Sequence, residues 1–465
     1  MQILLAGYNV DAEILQELTR NQPRQDVTPE TISASYARIS RDPRPVHELR
    51  KIAREEVEKA RKSNSTIIFK MGHHSVAEHA VFNFDILGVS RLALEELEKF
   101  RLCSYTEKSQ RYQKLEGDYL VPDEIRNTKY ESRFTEMVEK QNRYYQELIE
   151  KSVEPEDARY ATSMATCAQL GMTINARNLD LLIRRFASHA LAEIQGLGKK
   201  MYELAAKIAP SIILFTAAND FDSKTLPELR DHFKGKWERK RKVSAGCELV
   251  DYTAKADLML AAVLLHTSTG ISFRNCRRMA KDMTGKNREE VIKKAFQHME
   301  FYDAVLREFE HIRLTYDLVM SASCFAQMKR HRMATITCQP YDPALGVTIP
   351  PKLKGEKRFF ELVRETEQVY DDIQKENPTA AQYVLTGAHR KRCLMTVNAR
   401  ELYHVSRLRE DVHAQWDIRD LAEEMTGIAK KVMPMTMLLA GGKDRYPEIY
   451  EKIYGRPPRV LPPIE

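Results

Sequence analysis

Two stretches of the chain alternate between apolar and polar positions. In VFNFDIL, Phe82, Phe84 and Ile86 are interleaved with Asn83 and Asp85, and in IRLTYDL, Ile312, Leu314, Tyr316 and Leu318 are interleaved with Arg313, Thr315 and Asp317. A period of two places every second side chain on one face, so both predict half-buried strands. Each follows a Glu-His pair, Glu78-His79 or Glu310-His311. About twenty residues later come LEKFRLCSYT and AQMKRHRMAT, which read as basic helical segments. TINARNLDLLIRRFASHALAEI around Asn175 is echoed by TVNARELYHVSRLREDVHAQWDI around Asn398, and each predicts a helix ending near a proline, Pro210 or Pro434. The opening MQILLAGYNV lacks a basic leader and a small-residue cleavage site, and reads as an edge or core strand. Leu49 to Lys62, with Glu55 and Lys59, then Glu58 and Lys62, spaced i,i+4, reads as an exposed helix.

Because the elements recur in the same order, the chain is an internal duplication. The expected organisation is one domain over residues 1–217, a linker over 218–246 and a second domain over 247–465. The linker AANDFDSKTLPELRDHFKGKWERKRKVSAG carries a basic cluster (Lys234, Lys236, Arg239, Lys240, Arg241, Lys242), taken as a solvated connector rather than a nucleic-acid grip.

Composition narrows the class. Across 465 residues, 43% hydrophobic and 30% charged residues describe a globular chain with a substantial core. The longest apolar run, Leu258 to Leu265, is far shorter than the roughly 20 residues a bilayer span requires. Seven scattered cysteines (103, 167, 247, 276, 324, 338, 393) form no C-x-x-C pair, which argues against a disulfide framework or zinc ribbon and for a cytoplasmic protein. A net charge of +7 favours anionic partners without selecting one.

The candidate chemistry starts from Arg330, His331 and Arg332 in unbroken succession. Three adjacent side chains cannot share one helix face, so at least one must turn inward or toward a ligand. Half one supplies other groups: His73 and Ser75 in HHS, then Glu107, Ser109, Gln110, Arg111 and Tyr112 in EKSQRY, then Arg159 in DARY. Half two adds Gln327, Asn398, Arg400, His404 and Arg409.

On these residues the chain resembles two flavin-dependent thymidylate synthase (ThyX) domains in tandem. That family's signature joins a His-x-Ser/Thr, an Arg-His-Arg triplet, a Glu-x-Ser-x-Arg-Tyr motif and an Asn-x-Arg followed by a further arginine. Neither half holds all of it. Half one has Lys99, Phe100 and Arg101 in place of the triplet, with Glu96 where the family has glutamine. Half two keeps the triplet but has Cys338, Pro340 and Asp342 at the Glu, Ser and Arg places, Gln382 for the midchain arginine, and no His-x-Ser before Glu310. The halves are complementary, each required group surviving at least once.

The resemblance implies an α+β fold, two ThyX-like domains each with a mainly antiparallel sheet and several helices. It implies an enzyme that methylates dUMP to dTMP with FAD, methylenetetrahydrofolate as carbon donor and NADPH as reductant. Substrate would be held by Gln327, Arg330, Glu107, Ser109, Gln110, Arg111 and Arg159. FAD would be held by Ser75, Arg330, His331, Arg332, Glu107, Asn398, Arg400 and His404, with His73 near folate or flavin. Arg409 would be catalytic, facing the uracil carbonyl. Family active sites lie between subunits of a homotetramer, so a homodimer of this duplicated chain would imitate it. The altered Thr106, Lys108, Gln110 and Met333 leave open another pyrimidine nucleotide, and a non-catalytic nucleotide- or nucleic-acid-binding tandem is the alternative from a different class.

Other readings of single residues are blander. Arg185, in the stretch of half one that matches Arg409, is taken as structural. His73, His74 and His79 lack carboxylate or cysteine companions at ligand spacing, so no metal is expected. Cys103 and Cys338 have no evident activating base and read as packing residues. No G-x-G-x-x-G or Walker loop is present, so side-chain cations must hold any pyrophosphate.

Overall fold

The computed structural model describes residues 1–11, 14, 27–39, 42–234 and 246–460. Each half contributes one antiparallel four-stranded sheet. In the first, β1 (Gln2–Tyr8), β2 (Val81–Ser90), β3 (Cys103–Glu107) and β4 (Cys167–Asn175) lie in the order β1-β2-β4-β3. In the second, β5 (Gly246–Tyr252), β6 (Arg313–Ser321), β7 (Thr335–Cys338) and β8 (Arg390–Asn398) repeat it as β5-β6-β8-β7. With helices between most strands, this is an α+β fold built twice.

The alternating patterns do become strands. Phe82, Phe84 and Ile86 are fully buried while Asn83 and Asp85 face out. On β6 the alternation is less strict, because Thr315 is also buried, its hydroxyl bonded to that of Thr396 at 3.0 Å on the paired strand. MQILLAGYNV gives edge strand β1. Asn175 and Asn398 each end the third strand of their sheet and cap the next helix, accepting from the backbone N–H of Asn178 at 3.0 Å and Glu401 at 2.8 Å. That hydrogen bond satisfies a donor the first turn would leave orphaned, which accounts for the repeated asparagine.

Three local expectations change. The basic segments are helical only in their first part: the helices run Arg91–Leu97 and Ala322–Met328, and the following basic residues sit on turns leading into β3 and β7. Leu49 to Lys62 is two helices, Val46–Glu55 and Val57–Ser65, because Glu56 leaves helical geometry (φ −122°, ψ 57°). The break replaces the i,i+4 pairs with Lys59–Glu56 at 2.9 Å and Arg61–Glu58 at 2.6 Å. The connector holds a helix, Asp220–Phe233, with no buried residue. Most of its basic cluster, from Lys236 to Lys242, lies outside the described residues.

The chain forms two compact units, and they do not follow the sequence halves. The first comprises Met1–Arg241 with Pro350–Gly387, the second Lys242–Ile349 with Ala388–Glu465. Within the first unit, helix Lys357–Gln374 packs on helix Glu131–Glu150. Fully buried Gln141 donates to the hydroxyl of Thr366 at 2.9 Å and to the carbonyl of Val384 at 3.0 Å. Ion pairs Arg133–Asp372, Arg358–Glu147 and Lys140–Glu365 flank that contact. Amphipathic helices bury their apolar stripes on whichever partner fits, and here the best partner for each is its own repeat copy. The second unit has its own core around Phe296, Phe309, Tyr316, Tyr403 and Tyr450. Among the described residues no helix is long and apolar enough to cross a membrane.

Candidate active site

In the second unit the triplet is built on a short helix. Ser321 ends β6 and caps helix Ala322–Met328, accepting from the N–H of Cys324 at 2.9 Å while donating to Asp417 at 2.5 Å. After Met328 the chain turns tightly, with the N–H of His331 bonded to the carbonyl of Met328 at 3.1 Å. That turn drives one of the three basic side chains inward, as their adjacency requires: His331 is 2% exposed, Arg330 half-buried and Arg332 exposed.

Inside, Nε of Arg409 donates to Nε2 of His331 at 2.9 Å, and its Nη2 donates to the carbonyl of Gln327 at 3.2 Å. Nδ1 of His331 faces Oε1 of Glu401 at 3.4 Å. Burial pushes the His331 imidazole below the usual histidine pKa, with the Arg409 cation adding to the shift and Glu401 opposing it. The ring is therefore neutral near pH 7. Since Nε2 accepts from Arg409, its proton belongs on Nδ1, toward Glu401. The exposed ring of His404 stands edge-on to His331, 5.7 Å away. Arg400 is turned elsewhere, to the carbonyl of Val305 at 2.9 Å and to Glu310 at 3.3 Å. Half one repeats this with Arg177 and Glu78, so the Glu of each Glu-His pair holds the Arg of each Asn-x-Arg.

The first unit positions the other motif. Glu107 closes β3 and forms an ion pair with buried Arg91, the first residue of helix Arg91–Leu97. Beyond it, the Ser109 hydroxyl accepts from the N–H of Arg111 at 3.2 Å. Nε of Arg111 meets Oε2 of Glu156 at 3.0 Å, and Nε of buried Arg159 donates to the carbonyl of the same Glu156 at 3.3 Å. One residue thus brings the two arginines together. Ser109 and Gln110 line a cavity of about 70 Å³ with Gln113, Gly117, Asp118 and Thr166. His73 and Ser75 are exposed on the turn before β2, at the start of a short helical segment.

Where the signature has been lost, its geometry persists with other chemistry. Phe100 takes the place of His331, and the guanidinium of Arg185 lies 5.9 Å over its ring, as Arg409 lies against the histidine. Lys99, on the turn after helix Arg91–Leu97, pairs back to Glu96 in that helix's last turn at 2.6 Å. In half two the ion pair of Arg91 and Glu107 is absent on both sides at once: Ala322 and Cys338 stand at the matching places, and Cys338 instead sets its sulfur 2.8 Å from that of Cys393 on β8. Asp342 caps a turn, accepting from the N–H of Ala344 at 3.0 Å. Among the described residues no group of three His, Cys, Asp or Glu side chains could hold a metal ion.

Sequence reading passed over Arg91, Glu156 and Glu401. Arg91 carried a signal: a cation at a helix N-terminus opposes the helix dipole and calls for a paired carboxylate. Glu401 did not, since Asn398-x-x-Glu401 reads as an ordinary capping pattern.

The family model of the thymidylate synthase complementing protein matches residues 24–211 and again 248–435. The chain belongs to this family. Its two matches make it a tandem ThyX duplication. A flavin-dependent thymidylate synthase of Sulfolobus acidocaldarius is 34% identical over 153 residues, 32% of this ThyX chain and 58% of that protein. A UPF0159 protein of Chlamydia pneumoniae is 23% identical over 423 residues, 81% of this chain and 79% of its own. Among solved structures, ThyX of Helicobacter pylori complexed with FAD and dUMP is 20% identical with a TM-score of 0.34, covering 46% of this chain and 100% of that one. The stretches matched to the flavin-dependent synthases first in similarity thus span under two thirds of those proteins.

Proposed function

We propose that this ThyX tandem is a flavin-dependent thymidylate synthase that methylates dUMP at C5, with methylenetetrahydrofolate as carbon donor and NADPH as reductant. The observation that carries the reading is the complementary survival of the signature: Glu107, Ser109, Arg111 and Arg159 in one half, Gln327, Arg330, His331, Arg332 and Arg409 in the other. The donor chemistry supports FAD, because Arg330 and Arg332 flank the triplet turn and guanidinium groups suit pyrophosphate oxygens. Asn398, Arg400, His404, Ser75 and Glu107 complete the flavin residues of this reading. FAD, when bound, supplies hydride taken from NADPH.

Neutral, buried His331 acts through Arg409, holding that guanidinium by a hydrogen bond so that it meets the uracil carbonyl and stabilises the charge that grows there. Glu156 sets Arg111 and Arg159 for the substrate phosphate, with Ser109 and Gln110 beside them. His73 lies toward folate or flavin. The assembly is a homodimer, whose four ThyX-like halves stand for four subunits, and light scattering near twice 53.8 kDa tests it. The deciding assay incubates purified protein with dUMP, methylenetetrahydrofolate, FAD and NADPH and resolves nucleotides by chromatography. Formation of dTMP supports the reading; a colourless protein without flavin absorbance and without dTMP overturns it.

A further inference from the structure

The second unit carries a basic cavity far from the motifs in sequence. Its volume is about 570 Å³, and it is lined by Lys255, Arg274, Arg277, Arg278 and Lys281 with Leu258 and Phe273, and by no carboxylate. Four of the cations come from one helix, Phe273–Asp282, at spacings i, i+3, i+4 and i+7, which stack on a single face. The opposite face is anchored: Cys276 and Ala280 are buried, and Ala280 packs with Ala261 and Ala262 of helix Ala256–Ser268. The basic stripe is therefore held outward by the core contact behind it.

Such a stripe is self-repelling. Arg274 with Arg278, and Arg277 with Lys281, are like charges at i,i+4, an unfavourable arrangement on an isolated helix. Elsewhere on this surface, cations such as Arg307, Lys293 and Lys452 pair with a carboxylate one helical turn away. The exposed cavity arginines have no such neighbour lining the cavity. Lys255 joins them from the start of helix Ala256–Ser268 in left-handed geometry (φ 53°, ψ 45°), which a lysine adopts at a cost. Asp282 ends the same helix one turn after Arg278 but does not line the cavity, so the positive charge concentrated there is only partly offset, and an anion would stabilise it.

The dimensions narrow the anion. From Arg274 to Lys281 the stripe runs roughly 10 Å along the helix, longer than one phosphate and suited to a chain of them. Guanidinium forks bond phosphate oxygens in pairs. Leu258 and Phe273 add an apolar wall against which a base can lie. The volume falls within the roughly 300–1,000 Å³ of small-molecule sites. We propose that this cavity binds a free nucleoside triphosphate, at a site distinct from the ThyX motifs.

The test uses the full-length protein with dUMP and FAD in excess, so that the motif residues are occupied, and follows N-methylanthraniloyl-ATP by fluorescence anisotropy. Wild type should bind, and inorganic tripolyphosphate should compete. Arg277→Ala/Arg278→Ala should weaken binding roughly 100-fold, from about a decade or more per charge-assisted contact. Arg277→Lys/Arg278→Lys, which keeps charge but loses the fork, should fall between. Both positions are exposed, so circular dichroism should match wild type. Unchanged affinity in the alanine variant, or no binding at millimolar probe, overturns the proposal. So does displacement by a single-stranded RNA at lower nucleotide concentration than by ATP, which would make the surface a polymer site.

Discussion

Arg409 and His331 are joined by a hydrogen bond of 2.9 Å in which the guanidinium donates and a buried neutral imidazole accepts. Half one keeps the arrangement as Arg185 over Phe100, with the hydrogen bond gone. The asymmetry predicts that His331→Ala and Arg332→Ala weaken FAD binding by one to two decades, at about 1.5–3 kcal/mol for a charge-assisted contact. Phe100→Ala should leave flavin affinity unchanged. Flavin fluorescence titration reads all three, and equal losses would remove the distinction between the halves.

The same histidine predicts a pH dependence of stability. His331 and His189 both have folded-state pKa values below the usual 6.5, chiefly through burial. The unfolded chain then binds protons more readily than the folded one as pH falls, so acid favours unfolding. This contribution is complete above about pH 6.5 and is lost progressively below it. Urea midpoints measured from pH 7.5 to 5 should fall, and fall less steeply in His331→Gln. An identical slope in the variant would assign the acid sensitivity to other groups.

Complementarity predicts which charges matter for turnover. Arg111→Ala and Arg330→Ala should each cost about 2–4 kcal/mol in kcat/KM for dUMP, because each removes a cation from the proposed substrate set. Lys99→Ala and Asp342→Ala, at the matching places of the opposite halves, should be nearly silent: Lys99 pairs with Glu96, and Asp342 caps a turn. Co-expressing an Arg111→Ala chain with an Arg330→Ala chain distinguishes two arrangements. Recovered activity means that each site draws on two chains; none recovered means that it draws on one. Near-normal activity in either single variant would defeat the composite reading.

Interleaving of the repeats predicts a stability effect remote from the chemistry. Gln141→Leu removes two buried hydrogen bonds, to Thr366 and Val384, and should destabilise the protein by about 1–3 kcal/mol. A fragment of residues 1–241 should likewise unfold at lower urea than the same fragment with residues 350–387 joined to it. Equal midpoints would mean that the first half folds without its partner helix.

The sequence by itself determined the elements and their duplication. A two-residue period can only be a strand with one buried face, and Asn175 and Asn398 cap helices because a short side chain can reach the first orphaned N–H. It also marked one of Arg330, His331 and Arg332 to turn inward, since backbone geometry forbids a common direction. Only the tertiary structure decided which one, and why: helix Ala322–Met328 stops two residues before Arg330, and the turn after it points the imidazole at Arg409, 78 residues later in the chain. Glu156 and Arg91 gained meaning the same way, as partners of Arg111 and Glu107. The exchange of helix Lys357–Gln374 into the first unit was not legible either. Amphipathic periodicity says that a helix needs an apolar partner, but two repeat copies offer equivalent faces, and the choice between them rests on long-range packing.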